Sequence, residues 1–301
     1  MTSSAPPPAV TVLMNVWRAD PRHLERAVAS VLAQTFDNWE LVIVEDPSDR
    51  PAAPTLARFA DPRVRHVANE IRTSLMDQKN LGLKLARGTL VALLDADDVA
   101  RPERLREQVA MFAADPELVA AGSQLAVIDD DDELIGYRRF PTADADVRAA
   151  LAWSVPLHQP SVMVRRDFVR DLGGYGELPG GTSQDHDLWS RIAHSGGKFA
   201  NHPEVLLYYR LHAEQMKARK VRKMIRDSLL VRARYWPDGG AKARFRRLTD
   251  RALLLLPPRL VTRLIRVCLY RDPPPPCDAL GPVPPLAPRA TPERRSAAAS
   301  C

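Results

Sequence analysis

Short apolar runs alternating with helix-spaced segments organise the first third of the chain. Residues 10–16 form a continuous hydrophobic run, and behind it Asp20-Pro21 pairs a helix N-cap with proline at the first helical position. Leu24, Val28, Val31 and Leu32 then recur at the spacing of one helix face. Segments 40–46 and 89–94 are further buried strands, with a shorter strand near 64–67 and a helix from about 74 to 86 between them. The order strand, helix, strand, helix, strand predicts an α/β fold with a parallel, doubly wound sheet.

Two of these strands end in acid: the first in Glu45-Asp46, the second in Asp95-Ala96-Asp97-Asp98. The carboxyl edge of such a sheet is where ligands bind, so both strand ends predict one cleft. Three carboxylates within four residues repel one another unless a cation lies between them. Hard oxygen ligands holding a divalent ion, which in turn holds a diphosphate, supply that cation. The competing interpretation is a solvated acidic turn capping the helix expected over 102–112.

The second half is less regular. Segments 119–128, 161–164 and 205–211 read as strands, and 183–194 as a helix start and helix. Asp129-Asp130-Asp131-Asp132 reads as a solvated hairpin tip, and Gly173-Gly174-Tyr175 as a helix stop and turn. A long basic helix is expected over 213–236, then a break at Pro237-Asp238-Gly239-Gly240 and two helical pieces separated by Pro257-Pro258. The organisation expected is a disordered stretch at 1–9, a main domain over 10–212, a basic helical extension over 213–271 and a disordered Pro-rich tail over 272–301.

Composition narrows the class. A chain of 301 residues holds one large α/β domain with appendages, and 45% hydrophobic with 27% charged residues is the balance of a soluble globular protein. Cys268, Cys277 and Cys301 show neither a disulfide framework nor zinc spacing, which points to a reducing cytoplasm. Neither a secretory signal nor a membrane-spanning run is read. The net charge of +6 conceals an asymmetry: 20 Lys+Arg against 7 Asp+Glu from Leu211 onward, and 23 against 30 before it. An acidic front suits a metal-dependent site, and a basic back suits an anionic lipid surface or another polyanion.

The order of motifs over 10–215 resembles a family 2 glycosyltransferase with the GT-A nucleotide-sugar fold. Four segments carry the resemblance: 10–17 with Ser30-Val31-Leu32-Ala33-Gln34-Thr35, then 41–46, then Lys79-Asn80-Leu81-Gly82 leading into 93–98, and Gln184-Asp185-His186-Asp187-Leu188-Trp189. The resemblance implies an inverting transfer from a nucleoside-diphosphate sugar, with UDP as the expected nucleotide. It implies Asp46 accepting from a uracil N–H, Trp17 stacking on the base and Lys79 meeting the diphosphate or base. It also implies Asp97 as direct ligand of Mg²⁺ or Mn²⁺, Asp98 supporting the metal, Asp95 facing the ribose and Asp185 as general base. His212, in Tyr208-Tyr209-Arg210-Leu211-His212, matches a segment that closes over the diphosphate and is expected to bind phosphate or metal. His158-Gln159-Pro160-Ser161 lines up with a segment near the acceptor. Departures from the family pattern are Asn15, Arg18, Glu45 and Gln184, which leave the metal aspartate and the base in place.

The acceptor implied is a glycan or lipid-linked hydroxyl at the cytoplasmic face. Segment 258–271, with an apolar stripe flanked by Arg259, Arg263, Arg266 and Arg271, is a candidate interfacial helix on the inner membrane surface. Nucleic acid is not an expected partner, for no binding motif or interleaved aromatics occur. The rivals are a nucleotidyltransferase, disfavoured because residues 14–20 lack glycine, a catalytically silent sugar-nucleotide-binding scaffold, and a polyanion-binding module built on the basic tail.

Overall fold

The computed structural model describes residues 6–212, 218–257, 260–261 and 272. Strand β1 (Val10–Val16), helix α1 (Pro21–Leu32), β2 (Trp39–Glu45), a short α2 (Ala53–Leu56), β3 (Val64–Ala68), α3 (Leu75–Leu85) and β4 (Leu90–Asp95) follow the predicted alternation. They build the parallel half of the sheet in the order β3-β2-β1-β4. Val12, Met14, Leu41, Ile43, Ala92 and Leu94 face one side, against Leu24, Val28 and Val31 of α1. Leu13, Val42, Val44, Val91 and Leu93 face the other, against Met76 and Leu83 of α3. Burial on both faces is why these strands are apolar at every position rather than alternating.

The local signals act as expected. Asp20 Oδ1 accepts the N–H of Arg22 at 2.9 Å and of His23 at 3.4 Å, capping α1. Ser74 and Asp77 form a reciprocal capping box at the start of α3. A methyl group on Gly82 would stand 2.1 Å from Leu13 Cδ1, so α3 lies this close to β1 only because it carries glycine there.

The second half of the chain adds antiparallel pairings to this parallel sheet. It comprises β5 (Val99–Ala100), α4 (Arg104–Ala114), β6 (Leu118–Ile128), β7 (Leu134–Arg138), α5 (Asp144–Leu151), β8 (Met163–Arg165), α6 (Arg166–Asp171), α7 (Gln184–His194) and β9 (Lys198–Arg210). β8 runs antiparallel between β4 and β6, β9 runs parallel to β6, and β5 pairs antiparallel with β9. The strand expected over 161–164 is reduced to Met163–Arg165, because Gln159–Ser161 is a 3₁₀ turn. Pro160 has no N–H for a ladder. β9 begins at Lys198 rather than 205, and its register against β6 shifts between Ser123 and Gln124, passing over Pro203-Glu204 as a bulge.

Helices α8 (Ala218–Tyr235) and α9 (Gly240–Leu255) follow, with the break where Pro237 and Gly240 predict it. The Tyr235 hydroxyl donates to Asp187 Oδ1 at 3.1 Å and Trp236 Nε1–H to Ser190 Oγ at 3.0 Å, tying this region onto α7. Of the candidate interfacial segment 258–271, Leu260 and Val261 are described: Leu260 is exposed, and Val261 is buried with Val221 and Ile225. The remainder lies outside the described residues, as do 1–5, 213–217 and 273–301. Among the described residues no helix is long and apolar enough to cross a membrane.

Candidate active site

Strand register builds the cleft. Asn15 lies opposite both Val44 and Asp95, and Val16 opposite Glu45, so the carboxyl ends of β1, β2 and β4 come level. Trp17, Asp46 and Asp95 therefore reach one edge of the sheet.

At that edge one oxygen each from Asp95, Asp97 and Asp98 lies within 4.8 Å of the others. Asp98 is fully buried; Oδ1 accepts the Arg210 N–H at 2.8 Å, while Oδ2 has no hydrogen-bond partner. Burial, then the charges of Asp97 and Asp95, push its carboxyl well above the ordinary range. Asp95 opens onto the cleft, yet protein surrounds it closely enough that desolvation and Asp97 push it up to about 6. The helix-capping alternative fails here, since α4 starts at Arg104 with no side-chain cap. A buried carboxylate oxygen left without a partner beside two further carboxylates fits a divalent cation with oxygen ligands.

Two buried guanidinium groups back this centre. Arg104 donates to the Leu93 carbonyl at 2.7 Å, and burial lowers its pKa to about 10 against the pull of Asp98 and Asp95. Arg210 Nε donates to the Asp97 carbonyl at 2.9 Å, and its other nitrogens bind the Asp129 carbonyl and the Asp132 carboxylate. His212 Nε2 lies 2.9 Å from Asp97 Oδ2 and its Nδ1 contacts Asp130. Its pKa is raised, first by the hydrogen bond to Asp97.

Residues 129–132 lie at the hairpin tip expected, between β6 and β7 with Asp130 and Asp131 exposed, but the tip is tied to distant elements. Arg22 and His23 of α1 reach the Asp130 carbonyl, at 2.9 and 3.2 Å, and Arg26 pairs with Asp132 at 3.1 Å.

At the end of β1, Trp17 is 42% exposed, with the Arg72 guanidinium 3.8 Å from the ring centroid. Asp46 is buried, and its carboxylate takes four donors: the Asn69 amide at 2.8 Å, the Thr73 N–H at 2.7 Å, the Thr73 hydroxyl and the Gln78 side chain. Desolvation raises the Asp46 pKa, but these bonds outweigh it and leave the carboxyl below its usual range. Lys79 is buried, not solvated, with Nζ 5.1 Å from the Tyr175 ring centroid. Desolvation lowers its pKa, opposed by the charges of Asp95 and Asp185. Asn80 holds Tyr175 in place by bonding its backbone N–H and carbonyl, at 2.8 and 3.0 Å.

Asp185 sits half-buried in the first turn of α7, its Oδ1 accepting the His186 N–H at 2.8 Å. Asp187 is committed structurally, to Arg191 at 2.8 Å and to Tyr235. Gln184 donates to the Gly181 carbonyl at 2.7 Å. His158 Nε2 is buried without a partner, and the ring stands edge-on to Tyr209 at 4.5 Å. Burial and then Arg138 lower its pKa to about 3, so it stays neutral. Arg18, Asp132 and Ser183 adopt positive φ of 55°, 68° and 57°. They are neighbours in sequence of Trp17, Asp130 and Asp185, which places the strained backbone beside the candidate chemistry.

A family profile for glycosyl transferase family 2 matches residues 11–173. The chain belongs to that family. This glycosyl transferase family 2 member is 28% identical over 229 residues to the putative glycosyltransferase EpsE of Bacillus subtilis, covering 74% of this chain and 81% of that one. It is 28% identical over 214 residues to the amylovoran biosynthesis glycosyltransferase AmsE of Erwinia amylovora, covering 70% and 79%. Among solved structures it resembles the mannosyltransferase PcManGT of Pyrobaculum calidifontis in complex with GDP-Man and Mn²⁺, with a TM-score of 0.59, 20% identity and coverage of 87% and 74%. That likeness establishes the GT-A fold. Sequence reasoning missed Arg72, Arg104 and Asp130 at this family 2 site. Arg104 had a signal, a cation six residues beyond the acidic run at the start of the next helix, whereas Asp130 meets His212 only through tertiary folding.

Proposed function

We propose that this glycosyltransferase moves one sugar from a UDP-sugar to a hydroxyl of a glycan or lipid-linked acceptor, with inversion at the anomeric carbon. The observation that carries the proposal is the triad Asp95, Asp97 and Asp98, with its unpartnered Asp98 oxygen, electrostatically linked through Lys79 to Asp185. Asp97 and Asp98 would hold Mg²⁺ or Mn²⁺, which when bound supplies Lewis-acid stabilisation of the departing nucleoside diphosphate.

The chain's own groups divide the remaining work. Lys79, a desolvated cation, attracts the diphosphate toward Asp95, which faces the ribose. Trp17 offers its indole face to the base. Asp46 has about four lone-pair positions and four donors already occupy them, so it acts on the base by fixing the segment from Asn69 to Gln78 as a wall. Asp185 accepts the proton of the acceptor hydroxyl while that oxygen bonds to the anomeric carbon and the bond to the diphosphate oxygen breaks. His212 faces the diphosphate or the metal through Nε2.

The acceptor assignment rests on kinship with AmsE, whose name places it in amylovoran biosynthesis. Segment 258–271 would bring the enzyme to the inner membrane surface, and co-sedimentation of the whole chain with anionic vesicles tests this. The principal experiment incubates purified protein with UDP-, GDP- and dTDP-sugars, with and without Mn²⁺, and reads product anomericity by NMR. Mn²⁺-dependent consumption of a UDP-sugar with inversion is expected. Consumption of GDP-sugars alone would replace the nucleotide, and absence of nucleotide binding with any cation would overturn the whole reading.

A further inference from the structure

We propose that Asp130 is a positioning residue for the cation centre: it fixes the tautomer and orientation of His212 so that Nε2 points at the Asp97 side. The inference rests on the metal-dependent reading given above and extends it to a residue outside the acidic strand end.

His212 is held at both ring nitrogens by carboxylates, Nε2 by Asp97 Oδ2 at 2.9 Å and Nδ1 by Asp130 Oδ1. The two carboxylates differ in setting. Asp97 belongs to the run that fits a cation, whereas Asp130 stands at the surface, 56% exposed, beyond the imidazole. An imidazole that ligates through one nitrogen needs the proton on the other, and a carboxylate accepting that N–H is the usual device for holding it there. Asp130 supplies this acceptor, so that Nε2, which in the cation-free protein donates to Asp97, can give up its proton and offer its lone pair when a cation binds.

The turn that carries Asp130 is itself immobilised. Its carbonyl takes the Arg22 guanidinium at 2.9 Å and His23 Nε2 at 3.2 Å, both from α1, and the His23 and His212 rings lie 5.2 Å apart. Arg210, wholly buried, binds the Asp129 carbonyl and the Asp132 carboxylate with one guanidinium and the Asp97 carbonyl with its Nε. Asp132 adopts φ of 68°, a conformation costly for a residue other than glycine. Asp97, His212 and Asp130 are therefore set against one another by a single buried cation and by α1. A surface hairpin tip with no such duty would not need this clamping.

The test measures Mn²⁺ binding to the full chain, by electron paramagnetic resonance of the free ion, with and without UDP or GDP. Six proteins are compared: unaltered, Asp130→Asn, Asp130→Glu, His212→Ala, the Asp130→Asn/His212→Ala double variant, and Asp131→Asn as a surface control. Asp130→Asn is expected to weaken Mn²⁺ binding by about 10–100-fold, with Asp130→Glu recovering part of the loss and Asp131→Asn unchanged. His212→Ala should weaken binding at least as much as Asp130→Asn, and the double variant should add little. Melting temperatures in chelator separate a lost fold from a lost ligand. Unchanged binding in Asp130→Asn alongside weakened binding in His212→Ala overturns the role of Asp130 alone. Unchanged binding in both removes His212 from the centre and the proposal with it.

Discussion

One carboxylate oxygen of Asp227 on α8 accepts both the backbone N–H and the hydroxyl of Thr182, at 3.0 and 2.7 Å. The other oxygen accepts the Gly180 N–H at 2.9 Å. Asp227 is 1% exposed, and Ser183 Oγ lies 3.0 Å from Ser228 Oγ on the same helix. A helix beyond the matched family segment of 11–173 thus holds the loop that leads into Asp185. A Cβ at Gly180 would stand 2.4 Å from Asp227 Oδ2, so the loop can approach only as glycine.

Replacing Asp227 with alanine leaves those donors without their partner, and each buried donor so stranded costs about 1–3 kcal/mol. The expected outcome is a lower melting temperature and a lower kcat with nucleotide affinity retained, because the loop leading into Asp185 loosens while the cleft around Asp95 and Asp97 keeps its contacts. Asp227→Asn, which keeps one acceptor oxygen, should fall between. Calorimetric nucleotide titration beside steady-state kinetics checks both halves. A large loss of nucleotide affinity would place the loop in donor binding instead.

Asp185→Asn should leave donor binding intact while transfer falls by about 10²–10⁴, the range of a positioned acid–base group. Asp97→Ala should do the reverse first, abolishing cation-dependent nucleotide uptake. The comparison is made by titrating nucleotide with Mn²⁺ present and absent, then timing a single turnover. Normal turnover in Asp185→Asn would remove it from the chemistry.

Local signals and strand hydrophobicity made the parallel half legible. Asp20-Pro21 and Ser74 fix helix starts wherever the chain folds, and β1, β2 and β4 are apolar throughout because both faces are covered. The antiparallel insertion of β8 was not legible, since Met163–Arg165 is too short to carry a period. Nor was the ion-pair web over 129–132: the partners Arg22, Arg26, Arg210 and His212 come from two distant elements, and four consecutive aspartates resemble any exposed turn. Lys79 shows the same limit in reverse, a lysine whose burial depends on Tyr175 packing beside it.

Trp17 exposes 42% of its surface where a core tryptophan would expose almost none. Trp17→Ala should therefore cost little stability. Base–aromatic stacking contributes about 1–3 kcal/mol, so donor KM should rise by roughly tenfold with kcat little changed. Trp17→Phe should recover most of the loss. An equal fall in kcat and kcat/KM would show that the ring acts on the transition state rather than on donor binding.

The pH dependence of the cation-free protein follows from Asp95. Its carboxyl ordinarily titrates at 3.8 and is pushed up to about 6 in the folded chain, by desolvation first and by Asp97 next. Between those two values the folded state holds more proton than the unfolded one, so stability falls as pH rises. The favourable contribution is fully present below 3.8 and is lost as pH passes through about 6. Asp95→Asn removes it. In chelator the melting temperature of the unaltered chain, taken relative to Asp95→Asn, should therefore decline from about pH 4 to about pH 7. Mn²⁺ binds the deprotonated carboxylates, so its addition should raise the melting temperature of the unaltered chain more at about pH 7 than at about pH 5. Differential scanning fluorimetry across that range, with and without Mn²⁺, reads both effects. A pH-independent difference between the two proteins would show that neither burial nor Asp97 perturbs Asp95.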